Sequence, residues 1–433
     1  MKGLMIAGLA SGSGKTTVTL GLLRALKRQG ISVSAGKTGP DYIDAGFLTA
    51  ASGRSAVNLD QFAMSKQLLT HLANDRHSDL LVIEGVMGLF DGAKGDIGSS
   101  VALAEVLNLP IILVLDVRHT AQTAAMITAG IVSLLPAGRI AGVILNHVAS
   151  PRHLKLISDV LALQKITLFG ALPSKESIQM PSRHLGLIQA VDFDQLGLEM
   201  IIDEAADLIS DHCDLAKICD TARSMATPSN KYHALPRPSF PTPAEIIAVA
   251  NDAAFGFSYH HMLASWQQQG AEIRPFSPLN NEGPDSDAHF VFLPGGYPEL
   301  YLPTLSSADQ FFTGLKAAAE SKIPIYGECG GFMTLGTGIT DALGVRFEMA
   351  GLLSLETSFA EQKRHLGYRK FTAIDNFFWD GPFLGHEFHY TSTISSTGTP
   401  LFTVNDADNK ALGSTGLRKG SVAGSFLHII AAA

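Results

Sequence analysis

The N-terminal stretch Gly3-Leu-Met-Ile-Ala-Gly-Leu-Ala-Ser-Gly-Ser-Gly-Lys-Thr-Thr17 constrains the fold of this chain more than any other. Residues 4–7 form a short apolar run that reads as a strand. Gly12 and Gly14 let the backbone turn tightly with its N–H groups pointing inward. From Thr16 onward Val18, Leu20, Leu22, Leu23 and Leu26 recur at helical spacing, and the pattern stops near Gly30. A strand, a glycine loop and a helix N-terminus make an anion cradle, because unpaired N–H groups and the helix dipole both favour phosphate. In that cradle Gly12, Ser13, Gly14, Lys15, Thr16 and Thr17 are the nucleotide-binding residues. Lys15 reaches the β- and γ-phosphates, and the Thr16 hydroxyl ligates Mg²⁺. One position departs from the usual spacing: the first glycine falls at Gly8, where the motif would have it at Leu9. A plain glycine-rich turn would explain the glycines but not the Lys-Thr-Thr that ends them.

At 433 residues the chain is too long for one hydrophobic core, so two or three domains are expected. Apolar residues at 46% argue for packed globular domains and against disorder. A formal charge of −8 argues against a nucleic-acid or anionic-membrane surface. The cysteines, Cys213, Cys219 and Cys329, have no zinc-type spacing and form no disulfide framework, which fits a reducing cytoplasm. No apolar run reaches the ~18 residues that a bilayer requires. A soluble protein with no membrane or nucleic-acid partner follows, and a homodimer is its expected assembly.

Residues 31–37 and 79–83 and the apolar β-branched runs at 111–117 and 140–145 read as further strands, with helical spacing between them at 101–107, 121–135 and 154–163. This alternation predicts an α/β domain, a doubly wound parallel sheet with helices on both faces. Ligands of such sheets sit at the carboxyl ends of the strands, where Asp41, Asp44, Glu84, Asp91 and Asn146 collect. One or two of these acids beside a phosphate loop are expected to hold Mg²⁺, although carboxylates there can also simply cap helices. Residues 192–220 read as further helix. Prolines 228, 236, 238, 241 and 243 then make a stiff linker. The domains are therefore 1–225, a linker 226–244, and 245–433.

The second domain restarts with strands at 246–250 and 273–276 and helical spacing at 259–269 and 308–320. Gly327-Glu-Cys-Gly-Gly331 places Cys329 on a sharp turn between a strand and a helix, where a nucleophile would be exposed and its thiolate favoured by the helix N-terminus. A cysteine nucleophile needs a base, and His365, His386, His389 and His428 are all candidates by spacing. Cys213 and Cys219 lie in helical sequence and read as core. His386-Glu-Phe-His389 invites a metal reading, but its spacing is wrong for the helical two-histidine zinc motif, and a structural or substrate-contacting role is expected.

Taken together, these motifs resemble the family of cobyrinic and hydrogenobyrinic acid a,c-diamide synthases. The resemblance rests on Ala10-Ser-Gly-Ser-Gly-Lys-Thr-Thr17, Gly39-Pro-Asp-Tyr-Ile-Asp44, Asn58-Leu-Asp60 and Glu84-Gly-Val-Met-Gly-Leu-Phe-Asp-Gly92. It continues in Leu293-Pro-Gly-Gly-Tyr-Pro-Glu299, Gly327-Glu-Cys-Gly-Gly-Phe-Met333 and Gly385-His-Glu-Phe-His-Tyr390, and so covers nearly the whole chain in order. It implies an N-terminal P-loop synthetase domain like dethiobiotin synthetase and a C-terminal class I glutamine amidotransferase domain. Glutamine would be hydrolysed at Cys329 with His428 as base and backbone N–H groups near Gly296 and Gly330 as oxyanion hole. ATP would phosphorylate the a and then the c acetate carboxylate of a corrinoid, and ammonia would displace the phosphate. By the same resemblance Thr16, Asp41 and Glu84 bind Mg²⁺, Asn146 contacts adenine, and Tyr42, Asp44 and Asp91 face the corrinoid and acyl phosphate.

Glutaminases of this class usually carry an acid two positions after the histidine, and this family often a second histidine. Here Ile430 can do neither job, so the sequence does not identify what orients His428. The rival readings are an amidoligase of the same build acting on another tetrapyrrole, a glutaminase half without activity, and a partitioning ATPase. The last would carry an extra lysine early in the loop, where this chain has Ala10, and has no use for Cys329.

Overall fold

Strand β1 (Lys2–Gly8) is buried at every residue after Lys2. A strand apolar on both faces belongs in the middle of a covered parallel sheet, and β1 lies there. The computed structural model of the chain describes residues 1–175, 195–227, 240–375, 378–379 and 381–433. It divides into two compact units, Met1–His233 and Ala234–Ala433.

In the first unit, β2 (Val33–Thr38), β3 (Val57–Leu59), β4 (Leu80–Glu84), β5 (Ile111–Asp116), β6 (Ile140–Val148) and β7 (Leu168–Pro173) join β1 in the order β3-β2-β4-β1-β5-β6-β7. All of these pairings are parallel, and the short β8 (Arg223–Ser224) adds antiparallel to β1. The parallel order follows from helices that return the chain to the same end of the sheet after each strand. The helix Lys15–Arg28 is buried from Val18 to Leu26. Gly21 is what lets it approach the helix Gln195–His212, for a Cβ there would stand 2.5 Å from the Ala205 carbonyl oxygen. Arg24 pins the same pair through Glu199 at 2.7 Å. The helical segment expected over 192–220 comprises, within its described part, two helices, Gln195–His212 and Leu215–Thr221. The break falls where the Asp214 side chain caps the second helix by accepting from the Lys217 N–H, a turn signal that the helical spacing hid.

The second unit holds β9 (Ile246–Ala250), β10 (Glu272–Phe276), β11 (Phe290–Leu293) and β12 (Ile325–Glu328). It continues through β13 (Gly338–Thr340), β14 (Arg346–Glu348), β15 (Leu355–Ser358), β16 (His365–Ala373), β17 (Pro382–His389) and β18 (Ser392–Ser396). Its last strands are β19 (Phe402–Asp406), β20 (Ala411–Thr415), β21 (Leu417–Lys419), β22 (Val422–Ser425) and β23 (Leu427–Ala432). A central sheet runs β10-β9-β11-β12-β22-β21, parallel except at β21. An antiparallel sheet β20-β19-β16-β17-β23 brings His386 directly opposite His428. The aromatic residues Phe240, Trp266, Phe290, Tyr326 and Trp379 pack edge-on and stacked around one another. Residues 228–239 of the proline-rich linker lie outside the described residues. Among the described residues no helix is long and apolar enough to cross a membrane.

Candidate functional site

Each unit carries its own cluster of functional side chains. In the first, Gly12 (φ 75°) and Gly14 (φ 90°) turn the loop after β1 in the left-handed region that only glycine enters freely. No side chain caps the helix that starts at Lys15, so its first N–H groups face the loop. Asn146, on β6, presses on this loop: a Cβ on Gly14 would meet its Nδ2 at 2.1 Å. That nitrogen donates to the Ser13 carbonyl at 3.1 Å, and the Asn146 Oδ1 accepts from the His147 N–H. Asn146 thus holds the loop with one donor and one acceptor site of its amide, which has a second of each to offer the adenine expected of it.

Lys15 Nζ donates to the carbonyls of Ala10 and Met87 at 2.9 and 2.8 Å, closing the loop over itself. Burial lowers its pKa, with Glu84 opposing. The Thr16 hydroxyl donates to Glu84 Oε1 at 2.7 Å. Sequence reasoning passed over Lys37, which the parallel register sets level with Glu84. Its ammonium bonds both Asp44 and, at 2.9 Å, Glu84. Burial alone would depress Lys37, but Glu84 and then Asp44 outweigh it and raise its pKa. A lysine ending a buried strand was the available signal.

Asp41 caps the helix Tyr42–Ser52 by accepting from the Ile43 and Asp44 N–H groups. Burial, then Asp44, lifts its carboxyl to about 7. Asn58 ties down the preceding turn through the carbonyls of Gly39 and Asp41. Tyr42 is half-buried at the helix start, Thr17 is half-buried in the first turn of its own helix, and Asp91 accepts from the Gly88 N–H at 2.9 Å. Three buried side-chain oxygens among the described residues of this unit have no hydrogen-bond partner: Glu84 Oε2, Ser13 Oγ and Thr38 Oγ1. A bare carboxylate oxygen next to the Thr16 hydroxyl fits a hard, oxygen-seeking cation. Asp41 and Glu84 both act electrostatically on Lys37, but the helix cap already engages one Asp41 oxygen.

In the second unit, β12 ends at Glu328 and the chain turns at Cys329 with φ 46° and ψ −100° before the helix Gly330–Leu335. The turn is locked from two sides. The Cys329 N–H donates to the Ser425 carbonyl and the Gly331 N–H to that of Pro294. A Cβ on Gly331 would stand 2.0 Å from the Leu293 oxygen, and one on Gly330 would stand 3.1 Å from the Gly296 nitrogen. Cys329 was expected to be exposed on such a turn. It is buried, 5% accessible, with Sγ 3.8 Å from the Phe388 carbonyl. Burial, and next the charge of Glu299, push its thiol pKa up, while the Gly330 N–H works the other way. The helix N-terminus alone therefore does not make a thiolate, and a base is needed.

The four candidate histidines separate cleanly. A carbon placed on Gly295 would meet His428 Cε1 at 2.4 Å and Cys329 Cβ at 3.4 Å, so these two side chains meet at that glycine. His386 lies behind His428, ring centroids 4.7 Å apart, with its Nε2 3.2 Å from the Tyr259 hydroxyl. His365 and His389 stack at 4.5 Å, and His389 also stacks on Phe426. Strand register, not helical spacing, groups His365, Glu387 and His389, with ligand atoms within 4.8 Å of one another. Arg369 already neutralises Glu387 at 2.8 Å. Burial opposes ionisation of Glu387, but His389 and then Arg369 hold it down at about 2. This cluster reads as an ion-pair network. Cys213 and Cys219 pack against the first unit's core, as expected of them.

Residues 4–188 match a family model described as the CobQ/CobB/MinD/ParA nucleotide binding domain, and residues 246–433 match that of the CobB/CobQ-like glutamine amidotransferase domain. Over its full length the chain is 47% identical to the hydrogenobyrinate a,c-diamide synthase of Sinorhizobium sp, covering 99% of both chains. The chain belongs to the hydrogenobyrinate a,c-diamide synthase family. Identity to the proteins of the same name from Rhizobium meliloti (strain 1021) and Brucella abortus biovar 1 is 46% each, over 99% of this chain and 99% and 98% of theirs. The nucleotide-binding model is one shared with MinD and ParA, but these synthase relatives run through the second unit too, which a partitioning ATPase does not require. A parallel P-loop sheet followed by a glutamine amidotransferase fold is thus the architecture of this synthase-family chain, and glutamine-dependent amide formation its enzyme class.

Proposed function

We propose that this protein amidates the a and c acetate carboxylates of hydrogenobyrinic acid, using ATP and ammonia drawn from glutamine, in the cytoplasm. The observation that carries the reading is the pairing, in one chain, of a phosphate loop beside the Thr16–Glu84 pair with a Cys329–His428 elbow. The relatives' name, hydrogenobyrinate a,c-diamide synthase, favours the metal-free ring over cobyrinic acid. A carboxylate is a poor acylating agent. Transfer of the ATP γ-phosphoryl group to it makes phosphate the leaving group, which ammonia then displaces to give the amide.

In this scheme Gly12, Ser13, Gly14, Thr16 and Thr17 hold the phosphates, and Lys15 exchanges its two carbonyl partners for phosphate oxygens. Thr16, Asp41 and Glu84 would hold Mg²⁺, which supplies charge neutralisation at the phosphates. Lys37 bonds Glu84 and Asp44 together from a buried place. Tyr42, Asp44 and Asp91 face the corrinoid carboxylate, and Asn146 the adenine. On the other unit Cys329 attacks the glutamine amide carbon, His428 takes the thiol proton and returns it to the departing ammonia, and the Gly296 and Gly330 N–H groups receive the oxyanion. The assembly is proposed to be a homodimer.

The test is purified protein with ATP, Mg²⁺, glutamine and either hydrogenobyrinic or cobyrinic acid, reading product masses and, by light scattering, oligomeric mass. Two successive amide-for-acid mass changes on the metal-free ring are expected. No mass change on either ring would overturn the substrate assignment.

A further inference from the structure

A histidine that accepts a proton at one ring nitrogen must carry its own proton on the other, where an acceptor must hold it. Ile430, two residues after His428, has no such group, but Glu328 does. Its Oε2 lies 3.7 Å from His428 Nδ1, and both side chains are 2% exposed. Its Oε1 accepts from the Ile429 N–H at 3.1 Å. The backbone next to the histidine thus grips the carboxylate and leaves the second oxygen for the ring. Glu328 also precedes Cys329 directly, so consecutive residues carry the nucleophile and this carboxylate. The gap exceeds a hydrogen bond, and such contacts tighten when charge develops on the ring.

His386 is the competing partner, at 4.7 Å between ring centroids. Burial, then Arg369, lowers its pKa to about 3, so it is a neutral ring with no anion to offer an imidazolium, whereas the Glu328 carboxyl can ionise as positive charge forms on His428. Glu328 is also an expensive residue to keep: burial lifts its carboxyl to about 8, so ionising it near neutral pH works against the fold. A leucine of similar size would fill the space without that penalty.

We propose that Glu328 is the positioning residue of glutamine hydrolysis: its Oε2 accepts the Nδ1 proton of His428 and leaves Nε2 bare for the Cys329 thiol. This rests on the glutaminase reading above. As the Sγ–carbon bond forms, the thiol proton moves to Nε2, and Glu328 stabilises the imidazolium. That proton leaves with ammonia, and water then opens the thioester to glutamate and returns the thiol.

Glu328→Gln tests it. With its oxygen still on the Ile429 N–H, the side-chain amide of this variant turns an NH₂ toward Nδ1 and favours the wrong tautomer. Glutaminase kcat should fall roughly a hundredfold or more, with KM within about threefold. Synthesis from ammonium salt, the folding control, should stay near wild type. By nitrogen NMR of labelled histidine, the His428 proton should move from Nδ1 to Nε2. Retained kcat, a rise in KM alone, an unmoved tautomer, or equal loss with both nitrogen sources would each overturn the proposal. Cys329→Ala runs beside it. If that variant keeps glutamine-dependent synthesis, the glutaminase reading itself fails. If it loses that synthesis while Glu328→Gln does not, only the role of Glu328 falls.

Discussion

Lys15 spends its charge on two backbone carbonyls, and that arrangement makes it replaceable in structure but not in chemistry. Lys15→Ala should fold, because Ala10 and Met87 are exposed and water can take the place of the ammonium at their carbonyls, and should abolish amide formation from glutamine and from ammonia alike. A product yield like wild type at saturating ATP, read by mass, would remove the synthetase role of this loop. Glu328 gives the opposite case, a residue whose charge state reaches into stability. Its carboxyl sits near 4.5 in the unfolded chain and about 8 in the fold. A raised folded value means that its contribution is full below 4.5 and is lost as pH rises toward 8. The stability of the second unit should therefore fall between pH 5 and 8 relative to Glu328→Gln, by at most a few kcal/mol, on the order of 1.4 per pH unit between the two values. Denaturant titrations across that pH range measure it, and parallel pH profiles for the two proteins would sink this assignment. At this scale the sequence was legible where residue type names chemistry, as with Lys15, Thr16 and Cys329. It was silent where chemistry depends on who stands opposite, as with Lys37 between two acids and Glu328 against His428. Neither neighbour can be found from spacing alone.

Elements follow the same division. Five strands of the first sheet were readable because a strand buried on both faces is a nearly continuous apolar run, and Ile111–Asp116 or Leu80–Glu84 needs little else, whereas Val57–Leu59, Leu168–Pro173 and Arg223–Ser224 were not read. The antiparallel strands of the second unit were not. Ser392–Ser396 and Ala411–Thr415 are exposed over most of their length and carry no apolar alternation, and pairing partners are set by register that a local pattern does not encode. The pairing of His386 with His428 across two such strands is why spacing left four histidines in contention. Helix packing depends on single small residues in a way that can be tested. Gly21→Ala drives a Cβ to 2.5 Å from the Ala205 carbonyl oxygen, and backbone cannot swing aside as a side-chain tip can. Overpacking of this kind should destabilise the first unit by about 1–3 kcal/mol, despite the better helix propensity of alanine. A melting temperature of that unit equal to or above wild type would mean that the helices part without strain.

For the molecule as a whole, the two units imply two separable reactions joined by one small product. If they divide the work as proposed, Cys329 touches only glutamine, and the synthetase uses ammonia from any source. Cys329→Ala should lose glutamine-dependent synthesis, because no other cysteine of the chain shares its elbow geometry and Cys213, pushed up to about 12 by burial in the first unit, stays a thiol. Synthesis from concentrated ammonium salt should survive, best at a pH that raises the free-amine fraction. His428→Ala should give the same split, since burial already pushes the Cys329 thiol up and a thiol without a base is a weak nucleophile. Its residual glutamine hydrolysis should fall no further than that of Cys329→Ala, which removes the nucleophile outright. The deciding measurement is ammonia-dependent amidation in Cys329→Ala against wild type, with folding checked by melting temperature. Equal loss of both nitrogen sources in a folded variant would mean that Cys329 serves the synthetase chemistry or the structure, and the division of labour between the units would fail.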